Sequence, residues 1–481
     1  MISGRFIKSS LLYTVGGAMP MASGLVLLPF YTNMLSLDTY GILMLYVVFS
    51  LFMQSLTSYA LDAYINVHYH EVENDITARR KLIGAVAGLM ITIGVVIIGL
   101  AWFIGDPIFN FTFNHTGNLN FAPWGFMSVV TGVFNGFFKA GTNLLIFRKQ
   151  PLLFLGFNFF NFVLTIGISL AGLYMYPGEL TGPMYGRLLS GAGIFLLTFF
   201  FILKEYGINF SFSAIKGLHR FCFPYLVYLL LVWLVTNLDR YIINDALDAE
   251  NVALFDFAVR CTLLISLLQD GLVAAINPLV YTLWRENGRN ESIPETNRYF
   301  NVYAAVGIII IAGFSFIVPI CIPWVVKNEA YYATFVFLGA LASGFATRGL
   351  YHYFLLKILY IKKTHLLTAA FGLSAAVQIP VTIWFANEWG LNGVIWASII
   401  SKAAQAVFLY VVVRPHFTIQ FNPWKLIILP LVFIGASIGI WQYAETYHWY
   451  WYAILFAGTT LFVFLIYRRE IMLTANKFLG K

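Results

Sequence analysis

The chain has 481 residues, 60% hydrophobic and only 10% charged, with 29 Lys and Arg against 21 Asp and Glu for a net charge of +8. A soluble globular domain is about half apolar and a quarter charged, so that class is excluded. The cysteines Cys222, Cys261 and Cys321 fall in apolar segments without metal spacing, which reads as buried small hydrophobes rather than a disulfide framework.

The basic start MISGRFIKSS leads into an apolar run too long for a signal sequence, so an uncleaved first helix is expected. A membrane-crossing helix needs about 20 largely apolar residues. About fourteen such segments follow one another, at roughly 9–32, 40–62, 82–105, 124–146, 152–176, 182–203, 220–243, 252–281, 300–324, 331–356, 364–386, 391–413, 424–444 and 449–467. They lack the polar–apolar alternation of barrel strands. The predicted fold class is an all-α polytopic membrane protein.

The basic residues orient it. With the N-terminus inside, 22 of the 29 Lys and Arg fall in cytoplasmic segments, Lys327 alone lies in an outer loop, and six lie within spans. That split follows the positive-inside rule, and an overlooked span would invert every later loop. Both termini are then expected to be cytoplasmic. The net positive charge then reflects topology and anionic headgroups, with no call for nucleic acid.

Two stretches echo each other. LPFYTNMLSLDTYGI (28–42) and RYIINDALDAENVAL (240–254) both leave an apolar run, cross an acidic turn and enter another, with Asp38 and Glu250 at an offset of 212. LTGPMYGRLLSG from Leu180 and LNGVIWASIISK from Leu391 repeat at 211, and FRKQP from Phe147 and IKKTH from Ile361 at 214. Spans one to six and seven to twelve therefore read as two copies of a six-helix unit. An even number of spans relates them by a pseudo-twofold along the membrane normal, a transporter architecture. The expected lobes are residues 1–206 and 207–416, with a C-terminal helix pair and tail at 417–481.

Ten charges lie within spans: Lys139, Arg187, Arg240, Arg260, Arg348, Lys402, Asp62, Asp239, Asp256 and Asp270. Each costs about 2.5–3.5 kcal/mol near the bilayer centre, so each must pair, snorkel or face a polar cavity. On span eight, Asp256, Arg260, Asp270 and Asn277 share an arc of about 100°. Asp256 and Arg260, four residues apart, form either a self-neutralised structural pair or a cavity-facing site in which Arg260 meets an anionic group. Span two presents Ser55, Ser58, Tyr59, Asp62 and Asn66 on a similar arc of about 100°, with Ser58 matching Asp270 in the repeat register. Arg348 and Lys402, deep in spans ten and twelve, are candidates for a cationic cavity, with packing pairs as the competing reading. Lys139 and Arg187 lie nearer span ends, where they can snorkel, and Lys139 is a further candidate for binding an anionic group of the substrate; Asp239 and Arg240 fit an interfacial position. Pro278 is the hinge candidate.

No phosphate-binding Gly-Lys loop, metal spacing or long hydrophilic domain appears, so a transporter is expected rather than an enzyme, without cofactor. Energy would come from a gradient, with H+ or Na+ as coupling ion and Asp256 or Asp270 as carrier, from the membrane potential or a substrate gradient, or from an ATPase on another chain.

The stretch LLPFYTNMLSLDTYGIL (27–43), the six-helix repeat, FAVR (257–260) with a late proline, and KKT (362–364) resemble the polysaccharide biosynthesis and export proteins. These are Wzx-type flippases of the multidrug/oligosaccharidyl-lipid/polysaccharide exporter superfamily. The resemblance implies a two-lobed fold with a central cavity lined by spans one, two, seven and eight. It implies flipping of a polyprenyl-pyrophosphate-linked oligosaccharide to the outer leaflet, for O-antigen, capsule or exopolysaccharide assembly. Cationic residues would neutralise the pyrophosphate while the tail stays in a groove or the bilayer. Arg260 matches the basic residue of span eight in such proteins. The expected partners are the lipid-linked oligosaccharide, membrane lipids, and a glycan polymerase or glycosyltransferases. An uncharged first span departs from the similar lipid II flippases. The alternatives are an ion-coupled multidrug exporter of the same superfamily and a non-transport scaffold of a glycan-assembly complex. Neutralising Arg260 is expected to cripple flipping while leaving folding intact.

Overall fold

The computed structural model describes residues 4–72, 75–210, 217–287, 293–361, 363, 365–417, 419–443 and 448–478. The KKT stretch lies partly outside them. Every regular element among the described residues is helical. Thirteen helical segments are long and apolar enough to cross a membrane. One of these, 365–416, is broken by non-helical backbone at Gly390, which divides it into two segments that each suffice for a crossing. The expected fourteen crossings are recovered in this way.

The chain forms two compact units, Met1–Ala253 and Leu254–Lys481. The first holds α1 (Gly4–Met34), α2 (Leu37–Ser58), α3 (Leu61–His68), α4 (Ile76–Phe113), α5 (Phe126–Phe147), α6 (Pro151–Met175), α7 (Thr181–Tyr206), α8 (Leu218–Asn237) and α9 (Asp239–Ala246), and the first turn of α10 (Ala249–Asn287). Its core joins Leu61, Ile65, Ile83, Val86, Phe137 and Cys222 from α3, α4, α5 and α8. A Cβ at Gly132 would lie 2.6 Å from the Ser50 carbonyl oxygen, so only glycine lets α5 approach α2 this closely. Span seven packs here as well. Trp233 Nε1 donates to the Val48 carbonyl at 3.1 Å, and the Tyr241 hydroxyl to that of Leu45 at 2.8 Å. The packing boundary therefore falls one span later than the sequence-repeat boundary at 206.

The second unit continues through α10 to α11 (Ile293–Val325), α12 (Phe335–Ser343), α13 (Arg348–Tyr360), α14 (His365–Val413), α15 (Leu429–Tyr443) and α16 (Trp449–Phe478). The C-terminal pair packs into this unit rather than standing apart. The Tyr452 ring fills the space left by Gly339 on α12, and the Tyr467 hydroxyl donates to the Lys425 carbonyl at 2.6 Å.

The repeat register recurs in local backbone structure. Ser36 Oγ accepts from the Thr39 amide at 3.1 Å and Asp248 Oδ1 from the Asn251 amide at 2.7 Å, so the two side chains start α2 and α10 with the same three-residue cap, 212 positions apart. Gly178 and Gly390, also 212 apart, both have positive φ, 79° and 60°, between paired spans. Where the two helix starts meet, a Cβ on Gly41 would lie 1.8 Å from the Ala249 carbonyl oxygen. We predict that Gly41→Ala forces these backbones apart and lowers the thermal unfolding midpoint of the purified protein by several degrees; an unchanged midpoint contradicts the contact.

The loop after α4 is tied to the end of α9. His115 Nδ1 and Asp245 Oδ2 are 2.6 Å apart, and this carboxylate raises the imidazole pKa above its ordinary value. The imidazolium–carboxylate tie is fully present below the ordinary histidine pKa and is lost as pH rises through the raised value. The His115 side chain is 60% exposed, so the effect is local. Amide exchange of 114–120, corrected for intrinsic rates, should therefore accelerate across that rise, and His115→Gln should remove the step. A step persisting in that variant contradicts this assignment.

Candidate functional site

A group of charged and aromatic side chains in the second unit surrounds a break in span ten. Between α12 and α13, residues Gly344–Thr347 form a 3₁₀ turn. Such a turn inside a longer helix tightens the backbone and changes the direction in which the following side chains leave it. It opens directly onto Arg348. Thr347 Oγ1 closes the turn on the Gly344 carbonyl at 2.8 Å and also lies 3.3 Å from the Lys402 carbonyl of α14. Gln269 of α10, almost fully buried, directs Nε2 to the Phe345 carbonyl at 3.5 Å.

Phe345 then gathers both deep cations. The Arg348 guanidinium carbon and the Lys402 ammonium each lie 5.2 Å from its ring centroid, within cation–π range. The aliphatic stem of Lys402 passes over Gly344, where a Cβ would stand 2.9 Å from its Cδ. Its Nζ donates to Ser398 Oγ at 2.7 Å, and Arg348 Nη1 donates to Asp270 Oδ1 at 3.1 Å. His352 Nε2 lies 3.9 Å from the same carboxylate oxygen, too far for a hydrogen bond, with Tyr303 against its ring. Asp270 is 56% exposed and Arg348 26%, so this group is accessible. An apolar groove of about 380 Å³ is lined by Thr347, Leu350, Phe354, Val407, Tyr410 and Leu426, while Phe345, Arg348 and Lys402 do not line it.

Arg260 belongs to a different neighbourhood. Its Nε lies 2.5 Å from Asp256 Oδ2, and the Asp256 side chain is only 2% exposed. Ten residues of continuous helix separate Arg260 from Asp270, about 15 Å along the axis. The shared arc on α10 therefore holds two charge groups at different depths. Asn277 Oδ1 is buried without a hydrogen-bond partner, and Pro278 sits inside the unbroken helix.

In the first unit, the predicted polar arc of span two does not form. Tyr59 and Ala60 both adopt left-handed backbone, with φ of 43° and 57°, so α2 stops at Ser58 and Asp62 and Asn66 sit on the separate helix α3. Ala60 is held there by complete burial beside Cys222. Ser55 and Ser58 donate to carbonyls of their own helix. Asp62 Oδ2 instead meets Lys139 Nζ at 3.3 Å and Asn143 Nδ2 at 3.2 Å. Arg187 reaches inward to Ser50 Oγ at 3.1 Å rather than only toward a headgroup. Asp239 and Arg240 are buried, and Arg240 donates to the Thr236 carbonyl at 3.2 Å.

Sequence reading placed Arg348, Lys402 and Asp270 on separate spans; the fold brings them into one group. It missed Phe345, Gln269, Ser398 and His352. Only the Gly344 position hinted at the break.

The model of the polysaccharide biosynthesis protein family matches residues 6–284, more than half of the chain. No curated protein matches the sequence. Among solved structures, the lipid II flippase MurJ in an inward closed conformation is similar with a TM-score of 0.72 at 15% identity, over 98% of this chain and 100% of that one. The MATE multidrug transporter DinF-BH gives 0.58 at 13% identity, over 86% and 96%. The MATE transporter VcmN of Vibrio cholerae in its bent form gives 0.54 at 11%, over 85% and 96%. At such identities the likeness is one of fold. The spans and the family match together make this chain a multi-pass membrane protein with a fold like that of these transporters, and it belongs to the polysaccharide biosynthesis protein family.

Proposed function

We propose that this protein flips a polyprenyl-pyrophosphate-linked oligosaccharide from the cytoplasmic to the outer leaflet of a bacterial inner membrane, by alternating access, for assembly of O-antigen, capsule or exopolysaccharide. One observation carries the reading: Arg348 and Lys402 converge on the Phe345 ring, and their chain neighbours Thr347 and Ala403 line an apolar groove. A planar guanidinium and an ammonium suit a pyrophosphate, the first as a bidentate donor and the second as a point charge. The groove suits the first units of a polyprenyl chain. Gln269 and Ser398 add polar groups beside the two cations.

Asp270 has the central role in release. It competes with the pyrophosphate for Arg348, so its pairing restores the empty site once the headgroup has left. It is also the more accessible of the two carboxylates that would carry a coupling H+ or Na+, since Asp256 is enclosed with Arg260. Pro278 removes one backbone hydrogen bond from α10 between these groups and the cytoplasmic end, which suits a hinge. Both termini are cytoplasmic in this reading. A glycosyltransferase set supplies the substrate and a glycan polymerase consumes it.

Native mass spectrometry of the purified protein with undecaprenyl pyrophosphate and undecaprenyl monophosphate tests the site. The pyrophosphate should bind more tightly, and Arg348→Gln should weaken it about tenfold or more. Equal affinity for the two lipids, or an unaffected variant, removes this assignment.

A further inference from the structure

The far end of α4 builds a second polar site that the charged group of the second unit does not explain. This helix has 38 residues, about 57 Å, longer than a hydrocarbon core of about 30 Å, and its far end carries polar groups. Asp106 and Asn110 lie one turn apart there, both exposed. The following loop folds back and is fixed. Asn114 Nδ2 donates to Asn110 Oδ1 at 2.8 Å and to the Leu119 carbonyl at 2.7 Å, while its Oδ1 accepts from the Leu119 amide at 2.9 Å. The Tyr46 hydroxyl accepts from the Asn120 amide and donates to its carbonyl, both at 2.8 Å. The Phe121 ring lies on Gly105, where a Cβ would stand 2.2 Å from it.

These contacts shape a cleft of about 500 Å³ lined by Asp106, Asn110, Asn114, Thr116, Asn120 and the Phe121 region. That is the size of a small-molecule site. Its chemistry narrows the ligand. His115, the one basic residue in the lining, is engaged by Asp245 and the Phe111 carbonyl, so the cleft is not built for an anion. Its single carboxylate falls short of the oxygen-rich shell that Ca²⁺ requires, and no metal-holding cluster occurs among the described residues. Thr116 Oγ1 is spent on Asn118 and Asn244, and the Asn114 amide on the loop. The exposed Asp106 carboxylate and the Asn110 and Asn120 amides remain to offer acceptors and donors together, which matches the hydroxyls of a sugar ring.

We infer that this cleft binds a neutral saccharide. As physiological ligand it would take a sugar of the headgroup emerging at the outer leaflet, a clause that rests on the flippase reading; saccharide binding itself does not. The loop is prefixed by Asn114, Tyr46 and Gly105, so binding needs no ordering step.

The test is saturation-transfer difference NMR on the full chain in lipid nanodiscs, which avoids sugar-headed detergents, with glucose, galactose, mannose, rhamnose and N-acetylglucosamine as probes. At least one should receive saturation from the wild type, and Asp106→Ala with Asn120→Ala should reduce its affinity tenfold or more. Asn110→Ala alone is the second variant, and unchanged amide exchange of 114–120 shows that the loop still folds. No transfer to any probe, transfer that survives both variants, or Ca²⁺ binding that displaces the sugar overturns the proposal. Arg348→Gln should keep the saccharide signal. Sugar binding without any lipid intermediate in depleted cells would leave the cleft standing and remove the flippase reading, and the converse would remove only the cleft.

Discussion

Replacing Arg348 by Gln should lower flipping about tenfold to a hundredfold, the effect of losing one charge-assisted bond to a phosphate. Lys402→Met should act in the same direction, because both cations lie 5.2 Å from the Phe345 centroid and would share the proposed pyrophosphate. The double variant should fall short of the product of the two, since removing either cation already loosens the pyrophosphate from the other. Folding should survive. The Arg348–Asp270 pair is 26% and 56% exposed, so losing it costs no more than about 1 kcal/mol. Phe345→Leu is the companion variant: it keeps both charges and removes the ring that gathers them, so flipping should fall while the amount of folded protein does not. The measurement is headgroup translocation in proteoliposomes with the lipid intermediate recovered from cells depleted of this protein. Normal rates in Arg348→Gln and Lys402→Met would place the substrate elsewhere.

The second large effect concerns Arg260 and reverses the expectation from sequence. Asp256 is 2% exposed and held 2.5 Å from the Arg260 guanidinium nitrogen. Arg260→Ala would remove the cation from that buried carboxylate, a loss of about 3–5 kcal/mol for a broken buried pair. The variant should therefore be depleted from the membrane rather than present and inactive. Replacing both together, Asp256→Leu with Arg260→Met, should restore the protein, because swapping an entire buried pair for apolar groups is often neutral or stabilising by about 1–4 kcal/mol. A restored protein that flips normally assigns the pair to structure. A restored protein that binds undecaprenyl pyrophosphate normally yet does not flip assigns it to the transport cycle. Wild-type abundance of Arg260→Ala contradicts the burial argument.

These two cases mark what sequence reveals here. The spans were legible because twenty apolar residues in a row have no other use in a chain so poor in charge. The repeat was legible because turns need particular residues: Ser36 and Asp248 cap equivalent helices, and Gly178 and Gly390 supply positive φ at equivalent breaks. The charges of the unit-two group were individually visible. Their company was not, since it depends on a 3₁₀ turn at Gly344–Thr347 that apolar periodicity does not encode. Phe345 was hidden for a simpler reason: with aromatics at 18% of the chain, a single ring carries no signal. The break at Tyr59–Ala60 was invisible because neither residue favours left-handed backbone; tertiary packing around Ala60 imposes it. Periodicity continued the helix through that point and produced a polar arc that the chain does not make.

The most direct test of the central claim is lipid mass spectrometry on cells depleted of this protein, combined with a membrane-impermeant probe of headgroup orientation. The flippase account predicts that a polyprenyl-pyrophosphate oligosaccharide accumulates with its headgroup facing the cytoplasm, and that Arg348→Gln fails to relieve the accumulation when supplied in trans. A lipid profile unchanged by depletion, accompanied by greater sensitivity to cationic drugs, would contradict it and point to the exporter reading.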